Sequence, residues 1–104
     1  MRIVAGTLRG RPIASPEHDG LRPTSDRVRE AVFNSLQSAG VIEGARIADL
    51  FAGSGAMGIE ALSRGAHSCV FVERDRHAVA ALRTNLETLG LGDRAEVVAG
   101  DAVA

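Results

Sequence analysis

The stretch Asp49-Leu50-Phe51-Ala52-Gly53-Ser54-Gly55-Ala56-Met57-Gly58 decides the fold. It follows the short apolar run Ile47-Ala48 and leads into a helix-like segment ending near Arg64. A strand, a glycine turn and a helix start are expected in that order. The glycines at 53, 55 and 58 fit G-x-G-x-x-G. In that pattern glycine makes the tight turn, lets backbone approach a ligand and packs helix on strand. Two acids sharpen a pattern that is weak alone. Glu73 ends the next apolar run, Val70-Phe71-Val72, about 20 positions beyond Gly53, where an acid can grip a ribose. Asp49 stands just ahead of the turn.

Asp49 bears on the choice of ligand. A dinucleotide places its pyrophosphate at such a turn, against helix N–H groups, and a carboxylate beside it adds like-charge repulsion. S-adenosylmethionine has no phosphate there. It carries a sulfonium and an ammonium, which a carboxylate favours, and a ribose for Glu73. Adenosylmethionine is the expected cofactor, with a nicotinamide or flavin dinucleotide, or a glycine turn without ligand, as alternatives.

Outward from this turn the chain alternates strand and helix. Residues 45–51 read as the first central strand and 55–64 as its helix, closed by Gly65. Residues 68–72 are an apolar run of the kind buried on both faces of a parallel sheet. Residues 76–89 form a helix with Val79, Leu82, Leu86 and Leu89 inward and Gly90 as its stop, and 95–99 a third strand. The alternation predicts parallel strands with ligands at their carboxyl ends. Asp49, Glu73 and Asp101 fall at those three ends.

Ahead of the turn, residues 2–5 and 11–13 read as a small basic hairpin, with Pro12 suited to an edge. Composition leaves open whether it is an arm on a nucleic-acid backbone or a solvated hairpin. Residues 14–23 read as a loop punctuated by Pro16, Gly20 and Pro23. Thr24, or alternatively Ser25, caps a helix running to about Ala39, with Gly40 at the C′ position. Helical spacing makes Val28, Val32, Leu36 and Ala39 its buried stripe. The expected division is 1–23, a basic hairpin and loop, and 24–104, part of a cofactor-binding domain.

The chain has 104 residues, 45% of them hydrophobic and only 3% aromatic, so one small aliphatic core is expected. The formal charge of −1 hides an asymmetry. Residues 1–34 hold six Arg against Glu17, Asp19, Asp26 and Glu30, whereas 35–104 hold six Arg against nine acids. Lysine is absent. Arginine offers planar, bidentate donors to phosphate. Cys69 is the single cysteine, which excludes a disulfide framework. His18, His67 and His77 lack ligand spacing, so no metal is expected. No apolar span has membrane length and no leader pattern is visible, so a cytoplasmic protein is expected.

The glycine stretch, with Glu60-Ala61-Leu62-Ser63-Arg64-Gly65-Ala66 after it, resembles class I adenosylmethionine-dependent methyltransferases. Met1-Arg2-Ile3-Val4-Ala5-Gly6, Arg9-Gly10-Arg11 and the block Arg22-Pro23-Thr24-Ser25-Asp26-Arg27-Val28-Arg29-Glu30-Ala31-Val32-Phe33-Asn34 are similar to the bacterial 16S ribosomal RNA guanine-N2 methyltransferase D family. The resemblance covers nearly the whole chain, and the second block is the more specific. It implies a Rossmann-like class I methyltransferase fold of about three parallel strands with helices, incomplete, behind a small hairpin and helix. It also implies methyl transfer from S-adenosyl-L-methionine to guanine N2 of 16S rRNA, free or in a small-subunit assembly intermediate. By the same resemblance Asp49 and the turn Phe51, Ala52, Gly53 and Gly55 hold the methionine end. Glu73 binds the ribose, Asp101 accepts from the adenine amino group, and the Ala102 N–H lies near. Arg2, Arg9, Arg11, Arg22, Arg27 and Arg29 face RNA. The family's catalytic Asn/Asp-Pro-Pro-aromatic motif follows a fourth strand; here the prolines are 12, 16 and 23. These residues alone are therefore expected to be inactive and to self-associate through the free edge of the first strand. An adenine-N6 DNA methylase, or a non-catalytic cofactor- or nucleic-acid-binding module, is the competing expectation.

Overall fold

The computed structural model describes residues 1–15 and 25–102. Within them the elements are α1 (Asp26–Ser38), β1 (Arg46–Asp49), α2 (Ala56–Ser63), β2 (Ser68–Glu73), α3 (Arg76–Thr88), a 3-10 turn (Gly92–Arg94) and β3 (Ala95–Ala99). The three strands form one parallel sheet in the order β1-β2-β3. This is the partial Rossmann-like arrangement that the alternating pattern predicts. β1 is shorter than the expected 45–51, because the backbone turns away at Leu50 to begin the glycine loop. β2 runs one residue further than expected and ends on Glu73.

Each helix boundary has a local cause. Ser25 caps α1, its hydroxyl accepting from the Val28 N–H at 3.1 Å; Thr24, the other candidate, lies outside the described residues. Asp75 caps α3 through the Ala78 N–H. Beyond α1 and α3, Gly40 and Gly90 adopt positive φ, and the residues after them bond back to Leu36 and Leu86, closing both helices. Arg94 donates to the Leu62 and Ala66 carbonyls, a cation on the carboxyl end of α2.

α2 and α3 cover one face of the sheet. Phe71 and Cys69 point into that layer, both essentially inaccessible, against Ile59, Leu62 and Leu82. Val79, Leu82, Leu86 and Leu89 are all buried, as their spacing predicts. Burial alternates along β2 rather than running continuous, because among the described residues no element covers the second face. Gly58 shows why the third glycine of the motif is required. A Cβ there would lie 2.3 Å from a Phe71 ring carbon and 2.8 Å from Cys69 Sγ.

The structure corrects the reading of α1. Val28, Val32 and Leu36 are 52%, 40% and 39% exposed and Ala39 is also exposed, whereas the buried residues are Arg29 and Phe33. The helix is rotated by a buried ionic cluster. Arg29 Nε donates to Glu60 Oε1 at 3.2 Å, and Arg64 Nε to Glu60 Oε2 at 2.9 Å. The Arg64 guanidinium sits 5.5 Å from the Phe33 ring centroid. An unpaired buried charge costs more than partly exposed valines, so the arginine dictates which face turns inward.

The same cluster holds the amino-terminal hairpin. Only Arg2 and Pro12 form a ladder bridge, in place of the two short strands expected. Ile3 N to Arg11 O, Gly10 N to Ile3 O and Ile13 N to Met1 O bond across the hairpin, and its turn is anchored to α2. Glu60 accepts from the Val4 and Ala5 N–H groups, Ser63 Oγ donates to Ala5 O and accepts from Leu8 N, and Ser63 O accepts from Thr7 N. Gly6 must be glycine: a Cβ would lie 1.9 Å from Ser63 O. Ile3 and Ile13 bury in the common core.

Candidate functional site

The sequence-predicted residues converge at the carboxyl ends of the strands, on two neighbouring hollows. A cavity of about 260 Å³ is lined by Leu50 and Phe51 after β1, Glu73 and Arg74 at the end of β2, and Gly100, Asp101 and Ala102 after β3. Phe51, Glu73, Asp101 and Ala102 are thus brought together. Arg74 ion-pairs with Asp101 across the rim at 3.7 Å. Asp49 faces instead a larger apolar cleft of about 380 Å³ along the free edge of β1, with Phe33, Leu36, Ile47, Met57 and Gly58 among its walls.

The glycine turn is pre-shaped by acids. Glu73 Oε1 accepts from Gly53 N at 2.8 Å, and Oε2 from Asp75 N at 2.8 Å. Each oxygen retains a lone-pair direction, since a carboxylate offers about four. Ala52 is buried and donates its N–H to Val72 O. Gly53 and Gly55 take φ of 56° and 96°, a region that side chains avoid. Gly55 is the N-cap of α2 and has no side chain to cap it. Asp49 does this from β1, its Oδ2 accepting from Gly58 N at 3.2 Å.

Burial raises the Asp49 carboxyl above its ordinary value; the Gly58 and Phe51 N–H groups draw it down, and the Glu73 charge pushes it up again. A carboxylate in this state gains from a nearby cation. Burial likewise pushes the Cys69 thiol up to about 12, so it is an inert core group. Among the described residues no three His, Cys, Asp or Glu side chains cluster as metal ligands, and no helix is long and apolar enough to cross a membrane.

The arginines divide differently from the expectation. Arg9, Arg11 and Arg27 are exposed. Arg2 is exposed and donates to Gly10 O, and Arg11 reaches Thr88 O at 3.3 Å. Arg22 lies outside the described residues. Arg29 is a correction: at 0% exposure, with Glu60, Asp26 and the Arg2 carbonyl as partners, it presents nothing to RNA. Arg74 on the cavity wall was not expected as a site residue, and Glu60, Ser63 and Asn85 were not expected to hold distant segments of the chain. Only Arg74 carried a signal, as the neighbour of Glu73.

Known proteins resemble this chain in sequence and in fold. The model of the family described as Conserved hypothetical protein 95 matches residues 1–104. The ribosomal RNA small subunit methyltransferase D of Escherichia coli (strain K12) is 50% identical over 103 residues, covering 99% of this chain and 50% of that one. A solved structure described as "Putative methyltransferase yhhF from Escherichia coli" superposes with a TM-score of 0.85 at 46% identity, over 98% of this chain and 53% of its own. An RNA methyltransferase from Salinibacter ruber, solved with S-adenosyl-L-homocysteine, gives a TM-score of 0.66 at 31% identity, over 79% and 52%. The chain spans about half the length of these relatives.

Proposed function

Since the chain belongs to the family of ribosomal RNA small subunit methyltransferase D, we propose that it is the cofactor-binding portion of an S-adenosylmethionine-dependent enzyme that methylates guanine N2 in 16S rRNA. The observation that carries this is the set of acids at three consecutive strand ends, two of them on one cavity beside a pre-shaped glycine turn. Asp49 and the turn Phe51, Ala52, Gly53 and Gly55 hold the methionine end, where the raised Asp49 carboxyl gains from the ammonium and sulfonium. Glu73 takes the ribose hydroxyls on the lone pairs left free by Gly53 and Asp75. Asp101 accepts from the adenine amino group, with Ala102 beside it on the cavity wall. When bound, the cofactor supplies an electrophilic methyl on sulfur.

Residues 1–23 act as the RNA-facing part, with Arg2, Arg9, Arg11 and Arg22 toward phosphate and Arg27 extending that face from α1; the remainder is the cofactor domain. The partner is 16S rRNA, or a small subunit still being assembled. Guanine N2 is a poor nucleophile because its lone pair is delocalised. An enzyme must flip the base, stack it and place acceptors on the N2 hydrogens. The prolines at 12, 16 and 23 cannot supply an Asn/Asp-Pro-Pro-aromatic site, so these 104 residues are proposed to bind cofactor without turnover. The test is tritiated methyl transfer to undermethylated small ribosomal subunits, comparing these residues with a protein as long as the relatives. Transfer to guanine N2 by the longer protein alone is expected. Transfer to adenine N6 of DNA instead, or turnover by the 104 residues, contradicts the reading.

A further inference from the structure

Asn85 is a buried polar side chain on the apolar stripe of α3, between Leu82 and Leu86 and only 4% exposed. Asparagine is a poor helix former, and a buried carboxamide must find partners. It finds them on two distant segments. Nδ2 donates to Ala14 O at 2.8 Å and to Ser54 O at 3.0 Å, and Oδ1 accepts from Ala14 N at 3.0 Å. Both amide hydrogens are used, and the orientation is dictated by chemistry. Two carbonyls can only accept, and an N–H can only donate. Toward Ala14 the side chain thus imitates a neighbouring strand.

The two segments are the ones the proposed function needs to register. Ser54 is 7% exposed and stands between Gly53, whose N–H is held by Glu73, and Gly55, which opens α2. Its inward carbonyl is satisfied by Asn85. Ala14 follows the buried Ile13 at the end of the basic hairpin. We propose that Asn85 is a positioning residue that ties the cofactor turn to the hairpin, so that cofactor on the one and nucleic acid on the other keep a fixed relation. Its relevance to methyl transfer rests on the function proposed above; the tie itself does not.

The test compares Asn85→Ala with Leu86→Ala, a core deletion one position along α3 that removes packing and no hydrogen bond. Amide hydrogen exchange is measured without ligand and normalised to the β2 amides. In Asn85→Ala, exchange at Ala14 and across 53–55 is expected to rise together by about tenfold, the effect of losing hydrogen bonds and leaving buried groups orphaned. Leu86→Ala is expected to leave those amides level with β2. Asn85→Asp provides a second arm, because it keeps the acceptor for Ala14 N and loses both donors. There the turn should loosen while the Ala14 amide stays slow. Turn amides that rise no more than β2 in both Asn85 variants, or the same selective pattern in Leu86→Ala, overturn the tie. S-adenosylhomocysteine affinity should fall about tenfold in Asn85→Ala and stay within about twofold in Leu86→Ala. Should the unsubstituted chain take up no S-adenosylhomocysteine, the cofactor reading fails, and the exchange data still decide the tie.

Discussion

The two ends of α2 use carboxylates in opposite ways. At its carboxyl end Glu60 is inaccessible and saturated: Arg29, Arg64, Val4 N and Ala5 N occupy its two oxygens. At its amino end Glu73 and Asp49 each brace a glycine N–H, yet stand on the walls of hollows, with lone pairs in reserve. Four donors on a buried acid make a clamp for the chain's own backbone. One or two donors on an acid at a cavity wall leave acceptor capacity for a ligand, the role proposed for Glu73 and Asp49. The family-like run Glu60-Ala61-Leu62-Ser63-Arg64 therefore belongs to architecture: it seats the hairpin and α1, although it directly follows the glycine motif.

The sharpest break in this contrast is Glu60→Ala. It strands Arg29 and Arg64 without their counter-charge and frees two backbone donors. A loss of about 3–5 kcal/mol in urea unfolding is expected, as for breaking any buried pair from one side. A loss under about 1 kcal/mol would mean that packing, and not the cluster, seats the hairpin.

Asp49→Asn should move the other way. The folded-state pKa of Asp49 is raised above its ordinary value of 3.8, so the protonated form favours the fold, and stability declines as pH rises from 3.8 through the folded value. Asparagine keeps an acceptor for Gly58 N and removes the charge. The variant should match the parent in thermal midpoint at the acid end of that window and exceed it at neutral pH. It should also bind S-adenosylmethionine more weakly, because the cationic groups of the ligand lose their partner. A neutral-pH midpoint below the parent's would show that Asp49 serves the fold more than the ligand.

The smallest effect concerns the surface. Replacing Arg9 and Arg11 together by Ala should leave cofactor affinity intact and weaken RNA binding. The log–log salt slope should flatten by about 0.7–0.9 for each phosphate that is no longer neutralised. An unchanged slope would make the hairpin a solvated element. Because Arg29 is buried, its substitution is expected to unfold the amino-terminal part before it alters RNA binding.

The alternating strand–helix part of the molecule was legible because its signals are local or periodic. Glycines 53, 55 and 58, the capping residue Ser25, and the apolar spacing of α3 all act within a few residues of themselves. The three acids were legible because parallel topology places successive strand ends side by side. The α1 face was not. Periodicity counts Val28, Val32 and Leu36 as inward, and cannot see that Arg29 meets a Glu 31 positions away in the core. Asn85 was hidden for the same reason: its partners lie 71 and 31 positions distant, on segments whose approach only the folded chain defines.

The central claim is that the strand-end acids form the cofactor cradle, and Glu73→Ala tests it most directly by calorimetric titration with S-adenosylhomocysteine. The unsubstituted chain should bind S-adenosylhomocysteine and not NADH. The variant cannot hydrogen-bond the ribose, where a charged acceptor is worth roughly 1.5–3 kcal/mol for each bond, and it also lacks the brace on Gly53 N. A drop in affinity of at least about tenfold is predicted. Unchanged affinity would remove Glu73 from the site, and NADH binding without S-adenosylhomocysteine binding would contradict the account altogether.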